Sequence, residues 1–401
     1  MSIRQTFYAF LPFLILLTFA SFMNTMARVI LPPLTPLICE ELHLCHGEIG
    51  NLFFILSVGF AFSLFGSQFL SSKISHKKTI VFSLVSTGCA LMLSSFADSF
   101  HHFRLSLFAL GLTSGFFVPS SVAMLRQGMA REHLGKAFGI FATAQSIAFI
   151  ISPLLVQFAG KLWHWKQILS GFGAITAMMG VLLYFILKQG SEKGEAITGM
   201  FIRSVFSWPS FWILLILLCL ANGLNVGIYN MAPDYFERHN LLNKDAVYKL
   251  VVTARILSFA TAVGAGILAD RFGLKRSMVF AFVGCGILTA LMGAVDASSS
   301  ILLFTLQSPI ASCLMPLIHF AIATIVPSEK NATIVSLIAP FGFLMGAGVI
   351  PQILGFLGDY NLYAHGFFLF GVMAMFCGAL FNLNRVYRHV HFSQLKSMEQ
   401  A

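Results

Sequence analysis

Residues 266–276 read GILADRFGLKR and lie at the end of a long apolar segment, 248–269, whose charges are Lys249 and Arg255. A second apolar segment, 277–295, begins at once. One acid and three bases, set between two stretches long enough to cross ~30 Å of hydrocarbon, read as a loop joining two membrane helices. Composition agrees along the whole chain. Of 401 residues, 57% are hydrophobic and 10% charged, and mean hydropathy is +0.84. That leaves too little polar surface to clothe a water-soluble globule. The 43 Phe and 33 Gly suit packed membrane helices, in which glycine lets backbones approach closely. A membrane β-barrel is disfavoured, because the apolar runs outlast the ~10 residues of alternating pattern that a barrel strand shows.

Twelve membrane segments are expected, at about 8–31, 49–70, 79–97, 105–125, 137–159, 167–187, 210–231, 248–269, 277–295, 301–325, 333–356 and 364–384. All should be helices, since a helix satisfies its own backbone in lipid. The first follows Arg4 and is read as an uncleaved helix rather than a signal peptide, because its removal would break the repeat described below. Counted on alternate sides, 17 Lys and Arg share the side of the N-terminus and 6 lie opposite, while Arg28 and Arg255 stay inside segments. Both termini are therefore expected in the cytoplasm. The net charge of +10 is topological and gives no nucleic-acid footprint. Seven scattered Cys imply no disulfide framework.

A constant offset relates the two halves of the chain. Pro119 and Pro316 stand 197 apart, as do Glu132 and Glu329; Pro153 and Pro351 stand 198 apart, as do Gly160 and Gly358. Ser72 and Asp270 are also 198 apart. Segments two to five thus repeat as eight to eleven.

The string at 266–276 resembles the signature loop of the major facilitator superfamily of secondary transporters, Gly-x-Leu-Ala-Asp-Arg-x-Gly-Arg-Lys. Gly266, Leu268, Ala269, Asp270, Arg271, Gly273 and Lys275 match, and Leu274 departs. The resemblance implies an all-α integral membrane fold, with twelve transmembrane helices in two pseudo-symmetric six-helix bundles. Residues 1–188 would form the first bundle, 189–207 a cytoplasmic linker, and 208–401 the second bundle with a short tail. It also implies a conformational latch, in which Asp270 caps a helix or pairs across the halves in the outward-facing state. Gly266 and Gly273 would permit the close approach and turn, and Arg271, Lys275 and Arg276 would hold the loop at the membrane face. The first-half copy, SSKISHKK at 71–78, has Ser72 for the aspartate and Ser75 for the glycine. Leu107 replaces an arginine of the pattern, and Ser152-Pro153 stands where antiporters have Gly-Pro.

Charges inside the membrane mark candidate chemistry, since each costs about 2.5 to 3.5 kcal/mol on insertion scales. Arg255 is expected near the midplane of segment eight, in the substrate pathway; Arg28 is expected shallower, towards the outer end of segment one. If both face a cavity, the substrate is an anion. Asn24, Gln145, Asn222, Asn225 and Tyr229 are candidates to complete a binding site, the last three sharing one helical face by their 3 and 4 spacing. His319 is the embedded side chain suited to carrying a coupling proton, because Glu48, Asp234 and Asp296 fall at segment ends. The string CEELHLCH at 39–46 reads as an outer loop in which Cys39 and Cys45 pair or, with His43 and His46, hold a metal; no metal role is assigned.

These features exclude ATP hydrolysis by this chain, which has no GxxxxGK[ST] loop. They give no constellation for a membrane-embedded enzyme. The leading reading is a monomeric carrier, without cofactor, moving a small organic anion by alternating access, with a proton or ion as coupling partner. The alternatives are an exporter or exchanger of an amphiphilic compound, and a carrier-fold sensor that does not transport. The expected location is a bacterial cytoplasmic membrane.

Overall fold

The computed structural model describes residues 3–129, 133–187, 209–239, 242–325, 335 and 337–383. The expected linker, 189–207, lies outside them, as do Glu132 and Glu329. Eleven helices are long and apolar enough to cross a membrane. They are α1 (Phe10–Leu42), α2 (His46–Ile74), α4 (Phe100–Gly128), α5 (Leu134–Ala159), α6 (Trp165–Ile186), α7 (Phe211–Arg238), α8 (Lys244–Phe272), α9 (Leu274–Met292), α10 (Ser298–Ile322), α11 (Leu337–Asp359) and α12 (Tyr363–Leu380). A twelfth, α3 (His76–Ser94), is less apolar because hydroxyl residues line its buried face. Ser83 there donates to the Thr113 carbonyl on α4 at 2.6 Å, so these hydroxyls are satisfied inside the bundle. Two six-helix bundles result, and no strand occurs among the described residues.

The first helix departs from expectation. It breaks for one residue at Ile30 and restarts at Leu31 with Pro32 and Pro33 in its first turn, where a missing N–H costs nothing. It then runs to Leu42, some ten residues past the expected end. Arg28 therefore lies 14 residues, or about 21 Å, from that end rather than near it. The CEELHLCH string is not an open loop either: Cys39 is buried on α1, His43 caps the helix at φ 52°, and Cys45 precedes α2. Cys39 and Cys45 are free thiols, and the described residues contain no group of three metal-type ligands.

The duplication is visible in packing as well as in sequence. On α3 and α6, Gly88 and Gly173 meet so closely that a Cβ on either would strike the other's carbonyl oxygen. On α9 and α12, Gly286 and Gly371 do the same, and each lies 198 residues beyond its counterpart. Gly180 packs on Leu84 and Val85; Gly378, 198 further on, packs on Phe282 and Val283, which repeat the same offset. Absent side chains let these helix pairs approach where lipid supplies no hydrophobic drive.

The signature turn also repeats. Gly273 starts α9 at φ 83°, a conformation that suits glycine, and Ser75 starts α3 at φ 84°. The Ser75 carbonyl accepts from the Thr79 N–H, as the Gly273 carbonyl does from Ser277. A serine held there is strained by about 1 to 3 kcal/mol. Ser75→Gly is expected to stabilise the protein by about 1 kcal/mol, read as a higher midpoint of thermal unfolding in detergent; an unchanged or lower midpoint would count against strain at this turn.

We call the end where α1 begins the base, and the opposite end the crown. At the crown the bundles are joined: Lys244 pairs with Glu40, Lys161 with Asp245 at 3.3 Å, and Asn51 donates to Gln352 at 2.8 Å. Gly50 and Gly355 bring α2 and α11 into backbone contact. Towards the base, Gly135 and Gly139 on α5, and Gly264 and Gly266 on α8, have nothing within 4 Å of an added Cβ. The bundles meet at the crown; towards the base α5 and α8 leave open space beside these glycines, while α2 and α11 stay in contact as far as the Phe65 and Phe341 rings, 5.5 Å apart.

Candidate functional site

Between the bundles lies a cavity of about 40 Å³, whose walls include Thr25 and Arg28 on α1, Phe60 on α2, Gln145 and Phe149 on α5, Asn230 on α7 and Phe343 on α11. Both halves contribute. Arg28 stacks over the Phe60 ring at 4.1 Å and lies 5.9 Å from the Phe343 ring. The two rings are themselves 4.8 Å apart across the junction. Such stacking is worth about 0.5 to 2 kcal/mol, less than the cost of taking a guanidinium out of water. Among the described residues Arg28 has no carboxylate partner, and its Nε is buried without an acceptor.

Arg255, whose Nε is likewise buried without an acceptor and which also lacks a carboxylate partner among the described residues, is held differently. It is buried, donating from both terminal nitrogens to Asn225, at 2.8 Å to the side-chain oxygen and 2.8 Å to the carbonyl. Its guanidinium lies over the Tyr229 ring at 4.0 Å and the Phe149 ring at 4.5 Å, and these two rings meet edge to face at 5.1 Å. The Tyr229 hydroxyl lies 3.3 Å from that of Ser152, the residue before Pro153 on α5. Phe149 thus separates Arg255 from the cavity, and Arg255 ties α8 to α7 behind the wall.

The helix carrying this cluster is not regular. Gly223–Gly227 forms a π-turn in α7, and Phe343–Val349 forms another in α11. A Cβ on Gly227 would meet the Gly346 carbonyl, so the two widened turns pack directly on each other. The change of register corrects the shared face expected for Asn222, Asn225 and Tyr229. Asn225 and Tyr229 do meet at Arg255. Asn222 turns away, donating to its own Leu218 carbonyl and packing on Gly346.

Asn24 is buried beside α4, donating to the Ser114 carbonyl at 3.2 Å with its Oδ1 unpartnered. Gln145 is exposed on the cavity wall. His319 is exposed on α10, its Nδ1 2.8 Å from the Met315 carbonyl of the same helix. Sequence reasoning passed over Asn230, Phe60, Phe149 and Phe343. The signal for Asn230 was available as one more amide in segment seven; the phenylalanines were lost among 43.

At the base, Asp270 is exposed and makes no ion pair with a described residue; Arg271 reaches back over Phe272 at 5.7 Å. Lys275 is half-buried, Arg276 exposed, and Gly266 open. The latch residues stand together at this end of the bundle, with Asp270 exposed.

The profile of the Major Facilitator Superfamily matches residues 17–265, ending one residue before the signature string. A probable 4-methylmuconolactone transporter of Cupriavidus pinatubonensis is 24% identical over 362 residues, covering 83% of this chain and 82% of that protein. The purine ribonucleoside efflux pump NepI of Salmonella typhimurium is 27% identical over 265 residues, covering 64% of this chain and 63% of its own. Among solved structures, a bacterial homologue of the human lysosomal transporter Spinster, inward-facing and unoccupied, superposes with a TM-score of 0.78 at 12% identity, covering 96% and 97% of the two chains. The nucleoside transporter NupG gives 0.73 at 14% identity, covering 94% and 99%. These last two share the fold.

Proposed function

The chain belongs to the major facilitator superfamily, a membrane transporter and not an enzyme, and from that premise we propose that it moves a small organic anion, with Arg28 as the anchoring charge. The observation that carries this reading is a cation in a two-sided cavity with aromatic support and no counter-charge among the described residues. A carboxylate entering from the open end would complete Arg28 with charge-assisted hydrogen bonds, which are the stronger kind. Gln145 offers it an amide donor, and Asn230, whose Nδ2 already donates to the Ala347 carbonyl at 3.3 Å, has one further N–H.

The bundles joined at the crown, with open space beside α5 and α8 towards the base, represent one of two alternating states. The excess of Lys and Arg at the base supports a cytoplasmic base, hence a conformer open to the cytoplasm, with both termini there and a bacterial inner membrane around it. Residues 1–188 and 208–401 act as the two rocking bodies.

The test uses purified protein and calorimetry with pairs of small planar carboxylates and their uncharged amides. The anion should bind at least tenfold tighter than its amide, a difference that survives moderate salt. Equal binding of both would overturn the anion reading. It would instead favour a second one, supported by the rings of Phe60, Phe149 and Phe343: export or exchange of an amphiphilic compound without charge; the Salmonella relative is named for purine ribonucleosides.

A further inference from the structure

At the crown a side chain of the first bundle is inserted among charged groups of the second. His46, the first residue of α2, places its Nδ1 2.5 Å from Oδ2 of Asp234 on α7 and 3.0 Å from the Tyr363 hydroxyl on α12. Tyr363 donates to the same carboxylate oxygen at 2.7 Å, and Arg238 reaches Oδ1 at 3.3 Å. The Asp234 side chain is wholly buried, that of His46 is 16% exposed, and the His46 and Tyr363 rings meet edge to face at 5.3 Å. Arg238 also donates to the Leu44 carbonyl of the first bundle, and the Gly47 N–H donates to Asp359 of the second.

We infer that His46 and Asp234 form a proton-binding site that fastens the crown, so that proton occupancy favours the crown-closed conformation. With its second proton the imidazole meets the buried carboxylate as a cation, and the bond between the bundles is charge-assisted on both sides. Without it, Asp234 keeps Arg238 and Tyr363, and the link to the first bundle weakens to a neutral one. When the bundles part, His46 loses its counter-charge to water. The closed state therefore holds the proton more tightly, and by linkage protons favour closure.

Other titratable groups lie close, and Glu237, half-buried beside Lys244, is the one whose response the His46→Gln variant must separate from that of the pair. Arg238, Asp359, Glu48 (which accepts from the Cys45 N–H), Glu237 and Tyr363 surround the pair, with Cys39 beside Arg238 and Cys45 at the start of α2. Lys244 with Glu40 and Lys161 with Asp245 also cross between the bundles, but lysines and carboxylates ordinarily titrate far from neutrality. His164 pairs with Glu41 inside the first bundle, so it says nothing of closure. Among the described residues His46 is the imidazole that meets a carboxylate across the junction, and imidazole is the group that ordinarily changes charge between pH 5 and 8. The inference stands apart from the anion reading and does not use Arg28.

Spin labels on Leu162→Cys and Lys249→Cys, exposed at the crown on opposite bundles, would report closure by pulsed dipolar spectroscopy, with the exposed Cys45 and Cys89 changed to serine. Between about pH 6 and about pH 8.5 the short-distance population should fall in favour of a longer one, an equilibrium shift of roughly fivefold or more. His46→Gln should remove the pH response. Asp234→Asn, which keeps the acceptor's shape, should remove it too and leave the longer distance populated at both values. A flat response in the parent, or one retained in His46→Gln, overturns the inference. If that variant does not give monodisperse protein, Asp234→Asn decides: a flat response supports the site, and a retained one overturns it.

Discussion

Valine at Gly286 is expected to abolish recovery of folded protein. An added Cβ there already stands 2.6 Å from the Gly371 carbonyl oxygen and 3.0 Å from the Met375 backbone nitrogen. Neither can turn aside as a side-chain tip would, so α9 must be pried from α12 along its length. Overpacking of a core ordinarily costs about 1 to 3 kcal/mol, and two further methyl groups at a backbone contact belong at or above the top of that range. Gly371→Val would meet the Ala290 nitrogen and the Gly286 carbonyl oxygen, each at 2.5 Å, and should fail in the same way. Gly264→Ala, with nothing within 4 Å, is the control and should leave the unfolding midpoint at or slightly above that of the parent. Size-exclusion profiles after graded heating would distinguish the variants. Should Gly286→Val elute and melt as the parent does, the seam is looser than these distances state.

What could be read from sequence follows from which forces act locally. Twelve crossings were legible because hydrocarbon imposes its length on every segment, and the duplication because Pro and Gly pairs recur at a fixed offset. Ser75 was legible as a departure from the signature, and its φ of 84° gives that departure a physical cost. The end of α1 was not, since Pro32, Pro33 and Pro36 read as a stop although a helix can restart on prolines. The two arginines were legible as a pair, but not their difference. Spacing alone gives a regular helix, whereas the π-turn at Gly223–Gly227 decides that Asn225 meets Arg255 and Asn222 does not. Asp234 fell at a segment end in sequence; its burial depends on His46 and Tyr363, which are 188 and 129 residues away along the chain.

The contrast between the arginines predicts opposite failures. Arg28→Gln should weaken anion binding by about 100-fold, because breaking a desolvated charge pair at a binding site costs about 2 to 5 kcal/mol. Its thermal stability should hold or rise, since an unpaired buried cation is removed and no protein acceptor is stranded. Arg255→Gln should do the reverse. It takes the donor from the half-buried Asn225 carbonyl and side-chain oxygen, a loss of about 1 to 3 kcal/mol in all, and it withdraws the cation that lies over Tyr229 and Phe149. Binding should then change little in any protein that remains folded. Calorimetry on the anion and thermal unfolding of both variants give a two-by-two outcome. Affinity lost at Arg255 and kept at Arg28 would move the anchoring charge behind the Phe149 ring, which would then have to swing aside for substrate to enter.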